Sequence, residues 1–154
     1  MSIAYKAATH ADVPLMTEMR IAFLEDILGK AEETEIEELR KNLSSYYAAA
    51  ISNDYLCEIA WDRERAAAIG GIVIREQEGS FKNPSGRVAY VMNMYTLPEY
   101  RRRGIGSILL GRLMDRARGL GITAFELLAT REGAPVYEKL GYHKHSEPLY
   151  RKME

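Results

Sequence analysis

A single mixed α/β domain, in which one mainly antiparallel β-sheet is flanked by helices, is predicted by three observations. At 154 residues the chain has the length of one domain, able to bury roughly two thirds of the surface it exposes when unfolded. Strand-like and helix-periodic segments follow one another in the order β-α-α-β-β-β-α-β-α-β-β, with no linker, repeat or low-complexity stretch. Residues 88–119 form a strand, a glycine-bearing turn and a helix, the start of one right-handed β-α-β crossover beside an antiparallel front. Residues 1–154 are therefore expected to make one domain.

Residues 3–7 read as the first strand. Thr9 followed by Asp12 has the spacing of a helix cap with an acid three positions on. Val13, Leu15, Met16, Met19, Ile21, Ala22, Phe23 and Leu24 then supply an apolar face, and Gly29 is the expected stop. Residues 32–51 form a second helix, acidic in its first turns, where the positive end of the helix dipole favours carboxylates. Leu39, Leu43, Tyr46, Tyr47 and Ala50 lie near helical spacing along it. Strands at 55–61 and 66–77 flank the polar turn Asp62-Arg63-Glu64-Arg65, and residues 79–86, with Asn83-Pro84, make a loop. A strand over 88–96 ends at Leu97-Pro98, because proline has no N–H to give a ladder. Ile105, Ile108, Leu109, Leu113 and Ala117 form the stripe of the next helix, punctuated by Gly119 and Gly121. A strand at 122–129, a short helix at 134–140 and a closing strand pair over 142–152, interrupted at Glu147-Pro148, complete the order.

Composition excludes several classes of function. Lys and Arg total 21 against 22 Asp and Glu, a net charge of −1, so no basic excess exists to drive general nucleic-acid binding. Cys57 is the only cysteine, which rules out an intrachain disulfide or a cysteine zinc cluster. It reads as a core residue of a protein in a reduced, cytoplasmic setting. Neither a signal-peptide core nor an apolar run of about 18 residues is present, so no membrane association is expected. His143 and His145, two apart on a strand, would share a face but lack a third ligand, and His10 falls in a surface cap; no metal is expected.

The strongest signal is Arg101-Arg102-Arg103-Gly104-Ile105-Gly106-Ser107 at the start of a helix. Two glycines allow the backbone to approach a ligand closely, and the helix start adds unpaired N–H groups and positive dipole. Three arginines add charge, so an anionic, phosphorylated ligand is predicted. The turn is not a P-loop, because Gly29-Lys30 runs into Ala31 with no glycine placed before it. A dinucleotide fingerprint fails too, since position 109, where a third glycine belongs, is Leu.

Arg-x-x-Gly-x-Gly at 101–106, the strand exit Met94-Tyr95-Thr96-Leu97-Pro98-Glu99-Tyr100, and Tyr137-Glu138-Lys139-Leu140-Gly141-Tyr142 together resemble the GCN5-related N-acetyltransferase family. The resemblance is specific over 88–143 and rests on element order over 1–87. It implies acetyl-coenzyme A as acyl donor and direct attack of a primary amine, from a small metabolite or a peptide, on the thioester. It further implies that the pyrophosphate binds at Arg101, Arg102, Arg103, Gly104, Ile105, Gly106 and Ser107, and the pantetheine arm along Met94, Tyr95 and Thr96. Tyr137 matches the general acid that protonates the departing thiolate; with an ordinary pKa near ~10, a tyrosine is protonated at neutral pH, as a donor must be. A homodimer is a common assembly in the family. Gly133 departs from the asparagine that many members place nearby, so that cofactor contact is not carried over. A non-catalytic acyl-coenzyme A-binding or regulatory module is the alternative.

The acceptor side carries no motif. Glu25, Asp26, Glu76 and Glu78 are carboxylates in segments that could border it, and a water relay could replace a dedicated base. Glu25, Asp26, Glu32, Glu33 and Glu35 would suit a cationic acceptor, and Asn93, flanked by apolar residues, could orient substrate or satisfy buried backbone.

Overall fold

The computed structural model describes residues 2–154. Five strands form one open sheet in the order β1 (Ala4–Ala7), β2 (Tyr55–Asp62), β3 (Arg65–Arg75), β4 (Val88–Thr96) and β5 (Phe125–Leu127). Neighbours are antiparallel except β4 and β5, which run parallel. Helices α1 (Val13–Leu28), α2 (Glu33–Ala50), α3 (Ile105–Gly119) and α4 (Ala134–Lys139) flank the sheet.

Local chemistry sets the helix ends. Ahead of α1, the Thr9 N–H donates to Asp12 Oδ2 at 2.8 Å, and ahead of α2 the Glu32 N–H donates to Glu35 Oε1 at 3.2 Å. Gly29 closes α1 at φ 89°, a left-handed value that glycine adopts without steric cost.

β3 is the middle of the structure, its residues 66–72 all buried, because helices cover both faces of the sheet there. Met16 and Met19 of α1 and Tyr47 of α2 pack on one face with Tyr55, Ile59 and Ile69. Leu110, Leu113 and Ala117 of α3 pack on the other with Ile72 and Val91. Gly70 admits this close approach: a Cβ there would stand 2.5 Å from Met94 Sδ and 3.1 Å from Leu113 Cδ1.

Glu58 on β2, 1% exposed, lies beneath α3. Arg112 Nε donates to its Oε1 at 2.7 Å and Arg116 Nη1 to its Oε2 at 2.8 Å, two arginines one helical turn apart converging on one carboxylate. Arg116 also donates to the Cys57 carbonyl at 3.1 Å. Glu58→Ala should lower the unfolding free energy by about 2–3 kcal/mol, the scale of hydrogen bonds to a charged group. Both arginines keep partial solvent access, so the loss stays below that of a fully buried triad. A urea midpoint unchanged from the parent would show that the cluster adds no stability.

The structure corrects the sequence reading at the C-terminal end. The strand expected over 122–129 is reduced to Phe125–Leu127, since its partner β4 turns away beyond Val91. Among the described residues no strand follows α4. Positions 143–154 are exposed, and the run lacks the alternation that would give a closing pair a buried face, while Pro148 withholds a ladder donor. His143 and His145 therefore share no strand face; His145 Nδ1 accepts the Glu147 N–H at 3.1 Å.

Candidate functional site

A bulge in β4 organises the site. Gly71 pairs with Met92 and Ile69 with Tyr95, so three steps along β4 oppose two along β3. Asn93 absorbs the extra residue at φ 60°, a left-handed value that asparagine tolerates better than most side chains. As a result two consecutive residues face α1 and α2. Met92 packs in that layer, and Asn93 Nδ2 donates to the Tyr47 hydroxyl of α2 at 3.4 Å.

β4 pairs with β5 only at Ala89, Tyr90 and Val91. From Met92 to Thr96 that edge has no ladder partner, and the sheet opens. The cleft formed there, about 150 Å³, is lined by Met94, Tyr95, Thr96, Gly106, Gly133, Val136 and Tyr137. Segments far apart in sequence, the end of β4, the start of α3 and the start of α4, thus meet at one place.

α3 begins at this cleft. Gly104 is its cap at φ 75° and ψ 8°, and the first intrahelical bond runs from the Ile108 N–H to the Gly104 carbonyl at 3.2 Å. The preceding N–H groups, of residues 104–107, have no partner within the helix, as at any helix start. Space lies in front of them. A Cβ on Gly104 would meet nothing within 4 Å, and one on Gly106 only Thr96 Oγ1 at 3.9 Å. Ile105 turns its side chain into the core, 3% exposed, leaving only its backbone to the turn, whereas Ser107 is half-buried.

The three arginines differ. Arg101 reaches away from the turn: its Nε donates to the Thr96 carbonyl at 2.9 Å and its Nη2 to Asp26 Oδ2 at 2.8 Å. Arg102 is exposed at φ 64°, and Arg103 is exposed with its guanidinium carbon 5.7 Å from the Tyr100 ring centroid. The tie from Arg101 to α1 carried no signal in the sequence, because its partner lies 75 residues away.

Tyr137 stands on the first turns of α4, half-buried, with its ring centroid 6.2 Å from that of Tyr142. Burial pushes its hydroxyl above the usual tyrosine pKa, so it stays protonated. Gly133 makes room for it, since a Cβ there would come within 3.1 Å of Tyr137 Cε2. On β4, Tyr95 is buried with its ring 5.5 Å from Phe23 of α1, and Met94 and Thr96 are half-buried.

None of the four carboxylates considered from the sequence lines the cleft. Asp26 is bound by Arg101, Glu25 lies 4.0 Å from Lys30 Nζ, Glu76 lies 4.0 Å from Arg87 Nε, and Glu78 is exposed. Among the described residues no group of three or more His, Cys, Asp or Glu is placed to hold a metal ion, and no helix is long and apolar enough to cross a membrane.

An anion cradle at a helix start, an unpaired strand edge and a protonated tyrosine in one cleft suit a phosphorylated thioester and its cleavage. Comparison with known proteins identifies the family. The model of the acetyltransferase (GNAT) family matches residues 18–142. Glucosamine 6-phosphate N-acetyltransferase 1 of Oryza sativa subsp. japonica is 32% identical over 96 residues, which are 61% of this chain and 56% of that protein. The chain thus matches little more than half the length of this relative. Among solved structures, a predicted acetyltransferase from Clostridium acetobutylicum with acetyl-CoA is 29% identical, with 98% and 96% of the two chains covered and a TM-score of 0.89. A GCN5-related N-acetyltransferase from Ralstonia eutropha JMP134 shares the fold at 20% identity, covering 98% and 99%, with a TM-score of 0.85.

Proposed function

Because the chain belongs to the GNAT acetyltransferase family, we propose that it transfers the acetyl group of acetyl-coenzyme A to a primary amine of a small metabolite or peptide. The observation that carries this reading is the opening of the β4 edge directly beside the uncrowded start of α3, with Tyr137 on the facing wall.

The residues fit the cofactor. The space before Gly104 and Gly106 admits a pyrophosphate to the free N–H groups of residues 104–107, and Arg102 and Arg103 bring positive charge beside it. Arg101 contributes through its backbone and by holding the end of β4 through the Thr96 carbonyl. The unpaired edge at Met94, Tyr95 and Thr96 offers backbone groups to an extended pantetheine arm, as it would to an added strand.

When bound there, acetyl-coenzyme A supplies a thioester carbonyl for the amine to attack directly. An N–H of the β4 edge supports the negative charge that grows on the carbonyl oxygen; loss of such a donor typically costs about 10²–10³ in rate. Tyr137 gives its hydroxyl proton to the departing sulfur. The amine must lose a proton as well, and since the nearby carboxylates are engaged or lie off the cleft, water is the relay this arrangement supports. An amino sugar phosphate is a candidate acceptor on the strength of the rice relative's name.

Ligand-dependent melting tests the cofactor. Acetyl-coenzyme A at 100 times its dissociation constant should add about 2.7 kcal/mol, a rise of about 5–10 °C, whereas ATP should do much less. Stabilisation by ATP alone would reassign the cradle to nucleotides. Acetylated product from a panel of primary amines tests the transfer, and cofactor binding without any product would leave a binding module.

A further inference from the structure

We propose that the acceptor amine carries a carboxylate or phosphate that pairs with Arg20, on the α1 and α2 side of the β4 opening; this rests on the acetyl-transfer reading. Arg20 is half-buried, its guanidinium carbon 5.6 Å from the Phe23 ring centroid, and Phe23 packs in turn on Tyr95 of β4. It makes no hydrogen bond or ion pair to any described residue. The acids of its own helix are engaged elsewhere: Glu18 with Arg40 at 2.8 Å, Asp26 with Arg101 at 2.8 Å, and Glu25 at 4.0 Å from Lys30. A partly desolvated cation left without a counter-ion is costly, and an anionic ligand removes that cost.

A second observation lies on the same face. Asn93 and Tyr55 are buried, 3% and 2% exposed, and their polar ends gather with the Tyr47 hydroxyl in one group beneath α2. This buried polar group gives the face behind Tyr95 a polar lining. Arg20 acts on this group electrostatically: burial pushes the Tyr47 hydroxyl up to about 12, and the Arg20 charge pulls against that rise. Tyr47 is also the acceptor of the Asn93 amide.

The bulge relates this group to the cleft. Met94 packs towards α3 and Thr96 Oγ1 lies nearest Gly106, the side assigned to the cofactor, whereas Asn93 and Tyr95 face α1 and α2. The ring contacts from Arg20 to Phe23 and from Phe23 to Tyr95 connect Arg20 to the side of β4 opposite the cofactor, from which the amine would approach. A purely cationic acceptor would be repelled there, and one with an anionic group a few bonds from its nitrogen would be oriented.

Calorimetry on the coenzyme A-saturated protein tests this with two matched pairs, 4-aminobutyrate against 4-aminobutanamide and O-phosphoethanolamine against ethanolamine. In at least one pair the member that carries the anionic group should bind about 10- to 100-fold more tightly than the member that lacks it, the worth of one charge-assisted bond. The arm that discriminates identifies carboxylate or phosphate. Arg20→Gln should erase the preference and Arg20→Lys retain part of it, both with parental coenzyme A affinity, which shows the fold intact. Equal or absent binding within both pairs, or a preference that survives Arg20→Gln, overturns the inference. Product formation is scored separately: a bound amine that is never acetylated defeats the transferase reading and leaves the Arg20 result standing.

Discussion

Tyr137→Phe should lower kcat by about 10²–10⁴, the usual contribution of a positioned proton donor, while coenzyme A affinity stays close to that of the parent. The ring keeps its contact with Tyr142 and its place against Gly133, so only the hydroxyl is lost. Because burial raises the hydroxyl's pKa, the parent's turnover should not fall through loss of this proton until pH passes the ordinary tyrosine value near ~10. The deficit of the variant should shrink with acyl donors whose thiols are more acidic, since such thiolates depart without help. Steady-state kinetics on a turned-over amine, with cofactor affinity titrated alongside, decide the matter. An unchanged kcat, with chemistry rate-limiting, would reduce Tyr137 to packing.

Gly106→Asp should weaken coenzyme A binding by at least about 100-fold while the protein remains folded. A Cβ at 106 meets only Thr96 Oγ1 at 3.9 Å, so the substitution starts without a clash. The added carboxylate instead fills the space before the α3 N–H groups and repels a pyrophosphate. Calorimetric titration and a melting curve on one sample separate the two effects. Parental affinity in the folded variant would place the phosphates elsewhere.

The motif residues were legible because their signal is local. Arg101 to Ser107 carry the turn, the helix start and its charge within seven consecutive positions, and α3 begins at Ile105 as the apolar stripe required. The strand over Val88–Thr96 and the capping pair of Thr9 and Asp12 could be read for the same reason, each being a short-range pattern. Glu58 was different. An acid in an apolar strand and two arginines four apart on a helix are each unremarkable until the fold brings them within 2.8 Å.

From the amino-acid order alone came the α/β class, the mixed sheet and the turn proposed to cradle phosphate, all of which depend on periodicity and glycine placement over a few residues. The assembled fold settled the rest. The bulge at Asn93 opens the β4 edge, Arg101 turns towards Asp26, Arg20 meets no counter-ion among the described residues, and residues 143–154 form no strand. Each of these depends on partners distant in the chain. Register and long-range charge pairing are properties of the assembled sheet and helices, where a one-residue shift in β4 redirects every side chain beyond it.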